Sequence, residues 1–179
     1  MSKKILVVTS SLRANSNSDM LAQAFAAGAQ AAGHSVETIS LKKKSIAFCR
    51  GCMACQKTQK CAIHDDASEI AERIGRADVV AFATPVYYYG LSGQLKTLLD
   101  RCNPLFVSDY VFRDVYLIAT AADEDVSAVE GCVKGMQGWV DCFERARLAG
   151  TVFCGGVDGP GAIEGNSALR TAYQMGEGV

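Results

Sequence analysis

The sequence predicts an α/β chain in three layers, a doubly wound parallel sheet between two layers of helices, and three observations carry that expectation. Short apolar runs of strand length alternate with stretches of helical periodicity, five of each. Most of the runs are continuously apolar rather than alternating, as strands covered on both faces are. With 179 residues, 49% of them hydrophobic and 21% charged, the chain can bury a proper core without cross-links, and one domain over residues 1–179 is expected. Ligands of such sheets sit beyond the carboxyl ends of the strands, at the switch point of the topology.

The first strand is Lys4 to Thr9, which runs into a hydroxyl-rich stretch, Ser10-Ser11-Leu12-Arg13-Ala14-Asn15-Ser16-Asn17-Ser18. Met20, Leu21, Ala24, Phe25, Gly28 and Ala31 then recur at helical spacing, with Ser16 and Asp19 placed as a capping box. Val36 to Leu41 is the second strand. Asp66 and Glu69 form a second capping pair before the apolar face Ala67, Ile70, Ala71 and Ile74. Asp78 to Ala83 is a central third strand leading into Thr84-Pro85-Val86-Tyr87-Tyr88-Tyr89-Gly90, and a helix capped near Ser92 follows. Val115 to Thr120 is the fourth strand, and a long helix runs from Val126 to Phe143. Its Gly131, Gly135 and Gly138 each cost about 1 kcal/mol relative to alanine, so close packing against a neighbour is expected there. Thr151 to Cys154 and a helix over Ser167 to Met175 complete the chain.

The net charge of −1 gives no electrostatic case for nucleic acid, and the apolar run after Lys3 and Lys4 is too short for a signal peptide or a membrane span. A cytoplasmic location is therefore expected, where thiols stay reduced. Eight cysteines then point to metal binding, catalysis or burial rather than a disulfide framework. His34 and His64 have no partner pattern, and Lys42-Lys43-Lys44 reads as the solvated end of a strand.

Three loops converge on the predicted cleft: Ser10 to Ser18, Thr84 to Gly90, and Ala121 to Asp125. The first has neither a Walker pattern nor a Gly-x-Gly-x-x-Gly turn. It offers serine hydroxyls, asparagine amides, Arg13 and a helix N-terminus, a set that suits a terminal phosphate monoester, although the same residues are good turn and cap formers. Pro85 and three successive tyrosines can cover a flat aromatic ligand. A phosphate site and an aromatic-lined loop together imply a phosphorylated planar cofactor, and FMN fits.

In combination, the first loop, the spacing Cys49, Cys52, Cys55, Cys61 followed by Asp65-Asp66, and Thr84-Pro85-Val86-Tyr87 with Ser92, Leu95-Lys96 and Asp100-Arg101 resemble the flavodoxin-like NADPH-dependent FMN reductases, and more narrowly the subgroup that includes the iron-sulfur flavoproteins. The resemblance runs from Lys3 to Asn103, with the later strands agreeing in pattern. It implies a flavodoxin-like sheet of order 2-1-3-4-5, NADPH or NADH as the reductant, a small-molecule or protein electron acceptor, and a homodimer or tetramer. FMN would be held by Ser10, Ser11, Arg13, Ser16, Asn17 and Ser18, with its ring against Pro85, Val86, Tyr87, Tyr88, Tyr89 and Gly90 and further contacts from Ala121 and Ala122. The flavin carries the chemistry, so no catalytic side chain is assigned. Where many relatives place threonine and glycine after the fourth strand, this chain has Thr120-Ala121-Ala122-Asp123.

Cys49, Cys52, Cys55 and Cys61 are separated by two, two and five residues. The triplet resembles the first part of a ferredoxin cluster loop, and Cys61 can close the set locally for a 4Fe-4S centre, as in the compact motif of iron-sulfur flavoproteins. Zinc and free or reversibly oxidised thiols are the other readings, and the spacing leaves all three open. Cys102, Cys132, Cys142 and Cys154 fall on apolar positions and are expected to pack. A receiver-type signalling domain needs acidic residues where this chain has Thr9-Ser10 and Ala83-Thr84, and a low-molecular-weight phosphatase needs a cysteine in the first loop; neither is present. Two functions remain: an FMN-dependent NAD(P)H oxidoreductase of the flavin or quinone reductase type, and an electron carrier using a 4Fe-4S cluster on the four cysteines.

Overall fold

The structure is a computed structural model that describes residues 1–179. Five parallel strands, β1 (Lys4–Thr9), β2 (Ser35–Ser40), β3 (Val79–Tyr87), β5 (Asp114–Thr120) and β6 (Arg147–Cys154), lie in the order β2-β1-β3-β5-β6. Counting parallel strands alone, this is the expected 2-1-3-4-5 sheet. The added strand is β4 (Gly90–Leu91), which folds back antiparallel on the end of β3, pairing Val86 with Leu91 and Tyr87 with Gly90.

Helices α1 (Asn17–Ala31) and α6 (Ala168–Glu177) cover one face, packing Leu21, Phe25, Ala29 and Ala172 against Ile5, Val7, Val79 and Ile118. Helices α3 (Asp66–Arg76), α4 (Gly93–Arg101) and α5 (Glu130–Val140) cover the other, packing Ile70, Ile74, Leu95, Leu98 and Met136 against Leu6, Val8, Phe82 and Leu117. Because successive residues of a strand point to opposite faces, β1 feeds both cores in turn. The two helices of the first face touch backbone to backbone: a Cβ on Gly28 would lie 1.9 Å from the Tyr173 carbonyl oxygen, and one on Gly176 2.0 Å from that of Phe25.

Several boundaries differ from expectation, each for a local reason. The N-cap of α3 is Asp65, whose carboxylate accepts from Ala67 N; Asp66 instead accepts from Ser45 N and Lys44. Ser16 caps α1 through Asp19 N, yet Asp19 does not complete the box: its carboxylate accepts no hydrogen bond from Ser16 N, and its Oδ1 is buried without a partner. The predicted helix from Val126 begins as a 3-10 turn over Val126–Val129 and becomes α-helical from Glu130. Strand β6 starts four residues earlier than its apolar run, because Arg147 and Leu148 pair with Asp114 and Val115 before a register shift. A short helix, α2 (Ala54–Thr58), also forms inside the cysteine stretch. Cys102, Cys132 and Cys154 are buried, as packing residues should be, but Cys142 is exposed beyond the end of α5. No helix is long and apolar enough to cross a membrane.

Candidate functional site

At the carboxyl ends of β1, β3, β5 and β6 the loops enclose a cleft lined by Ser11, Arg13, Ser16 and Asn17, by Pro85, Val86 and Tyr87, by Thr120, Ala121 and Ala122, and by Val157, Asp158 and Pro160. The three loops expected from the sequence thus meet, and a fourth joins them. Sequence reasoning missed Thr120, Val157, Asp158 and Pro160. The signal was the run Gly155-Gly156-Val157-Asp158-Gly159-Pro160-Gly161, glycine and proline punctuation directly after a strand.

This fourth loop is bound into the site. Asn17 donates from Nδ2 to the Val157 and Gly159 carbonyls at 3.1 and 2.9 Å and accepts from Ile163 N at 3.2 Å, while Arg13 Nη1 donates to the Asp158 carbonyl at 2.8 Å. Asn17 is therefore a buried brace between loops. Ser10 and Ser18 lie wholly beneath the surface. Ser10 Oγ donates to the Ala83 carbonyl and accepts from Ser92 Oγ, both at 2.9 Å, so it ties the ends of β1 and β3 to the cap of α4. Ser18 Oγ shares a hydrogen bond of 3.0 Å with Ser16 Oγ. The cleft receives Ser11, Ser16 and Arg13 directly, and the N–H groups of residues 14–18 find no acceptor within the chain. Unspent N–H groups at a helix N-terminus, two hydroxyls and a guanidinium make a donor set suited to a phosphate.

Only Tyr87 of the three tyrosines lines the cleft. Tyr88 and Tyr89 form the two-residue turn between β3 and β4, both in the left-handed region at φ 47° and 60°. That conformation costs a non-glycine residue about 1–2 kcal/mol, so the surroundings must hold it. Gly131 of α5 lets the helix approach the turn so closely that a Cβ there would lie 2.0 Å from the Tyr89 carbonyl oxygen. Tyr89 Oη also donates to Asp123 Oδ2 at 3.1 Å, and the same contact with an anionic carboxylate raises the phenol pKa. The close packing expected of the α5 glycines is thus realised at Gly131; Gly135 makes ordinary contact with Leu91, and Gly138 faces open space.

The cysteine stretch forms a second feature. Cys49, Cys52, Cys55 and Cys61 line one small cavity with Arg50, Ile63, Arg101, Asn103 and Pro104. Left-handed residues Gly51, Met53 and Gln59 bend the loop so that all four thiols reach that cavity. Cys55 is buried and accepts from Asn103 Nδ2 at 3.1 Å, and Cys49 and Cys61 accept from Gly51 N and Ile63 N at 3.5 Å. Donors converging on sulfur suit thiolates, either free or bound to iron. No three His, Cys, Asp or Glu side chains are grouped closely enough to hold a metal ion, so the four cysteines share a cavity without forming a preassembled metal site. By contrast, burial pushes the thiols of Cys102 and Cys132 up to about 12 and about 11, leaving them inert. A larger groove between α3 and residues 104–110 carries Lys60, Glu72, Arg76 and Asp109, whose opposed charges converge on nothing.

The layer order, and a cleft at the switch point that sets a donor group suited to phosphate beside Pro85 and Tyr87, are those expected of the flavodoxin-like flavoproteins as a class. Residues 3–137 match the family described as NADPH-dependent FMN reductase, and the chain belongs to that family. An iron-sulfur flavoprotein of Methanosarcina thermophila is 34% identical over 172 residues, 96% of this chain and 90% of the relative. An iron-sulfur flavoprotein of Methanocaldococcus jannaschii is 36% identical over 102 residues, 57% of this chain, so that this chain spans only about half (53%) of that relative's length. Among solved structures, the NAD(P)H:quinone oxidoreductase from Methanothermobacter marburgensis superposes with a TM-score of 0.75 at 21% identity, over 99% of this chain and 96% of the other, a likeness of fold.

Proposed function

We propose that this chain is an FMN-dependent NAD(P)H oxidoreductase that passes electrons to a small-molecule or protein acceptor. The observation that carries the reading is the single cleft uniting Ser11, Arg13 and Ser16 with Pro85, Val86 and Tyr87. FMN, when bound, supplies hydride and electron transfer between a nicotinamide and the acceptor. The chain's residues place it. The free N–H groups of residues 14–18, with Ser11, Ser16 and Arg13, hold the phosphate end, and Asn17 and the loop after β6 stiffen that cradle. Pro85 to Tyr87, together with Thr120 to Ala122, wall the other end. The strained hairpin, held by Gly131 and Asp123, keeps Tyr87 at the rim rather than folded against the sheet.

The four loop cysteines support a second, narrower reading, in which Cys49, Cys52, Cys55 and Cys61 hold a 4Fe-4S cluster that exchanges single electrons with the flavin. It rests on the four thiols sharing one cavity and on the N–H donors directed at three of them. The working form is a homodimer or tetramer, a reading supported by Leu12, Phe48, Met53, Tyr87 and Tyr88, large apolar side chains exposed around the cleft and the cysteine loop. Reduced thiols require a reducing compartment, which favours the cytoplasm. Steady-state assays test the first reading: NADH or NADPH oxidation sustained by a quinone or free flavin supports it. Absence of turnover alongside cluster reduction by a ferredoxin would favour the carrier instead.

A further inference from the structure

Arg101, at the end of α4, is the largest side chain fully buried in the protein, and its side chain has no solvent exposure. Its two Nη groups are spent at the neck of the cysteine loop. Nη1 donates to the Ala47 carbonyl at 2.8 Å and to Asp65 Oδ2 at 2.7 Å; Nη2 donates to the Ile63 carbonyl at 3.0 Å and to Asp65 Oδ1 at 2.8 Å. Asp65 in turn accepts from Ala47 N at 2.8 Å. Ala47 and Ile63 lie two residues outside Cys49 and Cys61, so one guanidinium and one carboxylate close the loop at both ends. Nε is left without any partner although it is buried. An unmet donor on a buried cation is costly, and native proteins satisfy such donors with an ordered water, an ion or a bound group. Arg101 lines the same cavity as the four thiols.

We propose that Arg101 is the positioning residue of the cysteine loop, fixing its neck through Asp65 and keeping Nε–H as a hydrogen-bond donor for a sulfur of the cluster. The inference rests on the reading that Cys49, Cys52, Cys55 and Cys61 hold an iron-sulfur centre. A donor and a fixed positive charge beside the sulfurs stabilise the reduced, more negative state, so Arg101 raises the reduction potential of that centre. Lysine keeps the charge but has no planar fork with which to hold Ala47, Ile63 and Asp65 together. Arg101→Lys therefore lowers the potential, and Arg101→Gln lowers it further and loses iron.

The test compares anaerobically reconstituted wild type, Arg101→Lys and Arg101→Gln by iron and acid-labile sulfide content and by redox titration followed by electron paramagnetic resonance, with bound flavin as the control for folding, since Arg101 does not line the flavin cleft. A more negative midpoint in Arg101→Lys with flavin content unchanged is the expected result. An unchanged midpoint and unchanged iron in both variants overturns the role of Arg101 while the cluster reading stands; wild type that takes up no iron and sulfide overturns both. Should the variants fail to fold, wild type and Arg50→Lys are labelled with 15N-arginine and the nitrogen coupling to the reduced centre is measured by pulsed resonance. Coupling that survives Arg50→Lys supports the donor, and its absence overturns it.

Discussion

Ser16 serves two ends through one hydroxyl, accepting from Asp19 N as the cap of α1 and facing the cleft where a phosphate is expected. Ser16→Ala is expected to cost about 1 kcal/mol of stability from the lost cap and to weaken FMN binding, read by urea unfolding and by flavin fluorescence titration. Unchanged FMN affinity would remove Ser16 from the phosphate contacts. Asp65 gives a pH dependence. Burial pushes its carboxyl pKa up, but the hydrogen bonds from Arg101, Ala47 N and Ala67 N outweigh that and hold it below the ordinary carboxylate value. A lowered folded-state pKa means that its contribution is present above the unfolded value of about 3.9 and is lost as the pH falls through the folded value. Stability of the wild type therefore drops below about pH 4, and Asp65→Asn, which leaves Arg101 buried without a counter-charge, is expected to cost about 3 kcal/mol at pH 7 and to flatten that acid slope. Ser11, Ser16 and Arg13 were legible in the sequence because hydroxyls and a cation between a strand and a helix have a direct chemical meaning. Ser10 and Ser18 carry the same residue types yet turn inward as braces, Asn17 both lines the cleft and braces the loop after β6, and nothing in their spacing separates these uses.

Elements are held at the site by close backbone contacts that glycine permits. Gly131→Ala forces α5 away from the Tyr88-Tyr89 turn and is expected to destabilise the protein by about 1–3 kcal/mol and to loosen the rim formed by Tyr87, weakening FMN binding. Gly138 faces open space on the same helix, so Gly138→Ala is expected to stabilise by about 1 kcal/mol through helix propensity. Equal responses of the two variants in urea unfolding would contradict the role given to Gly131. The central strands β1, β3 and β5 were readable because burial on both faces leaves continuous apolar runs, and α1 and α4 because Ser16 and Ser92 mark their starts. The hairpin was hidden, since a left-handed two-residue turn is normally signalled by glycine or asparagine, and here two tyrosines occupy it under tertiary constraint. The cap of α3 was displaced by one residue because Asp65 and Asp66 are equally good formers, and the choice is made by Arg101, 36 residues along the chain.

For the whole molecule, the order of the strands brings four loops to one end of the sheet, and the cysteine loop stands beside that end, tied at its neck by α4. Three of the four loops were foreseeable from their position after apolar runs; the fourth follows β6, whose end at Cys154 was foreseen, but its glycine and proline run carries no hydroxyl or cation to mark it as part of a binding site. The cysteine cavity was legible as a cluster of thiols, but the staple that closes it was not, because Asp65 and Arg101 are distant in sequence and each has an ordinary reading alone. The central claim is that the cleft holds FMN. An absorption spectrum of the anaerobically purified protein, before and after addition of FMN and removal of the excess, tests it most directly. Flavin bands at one FMN per chain are the predicted result, and a chain that shows no flavin bands and retains none after FMN is added would contradict it.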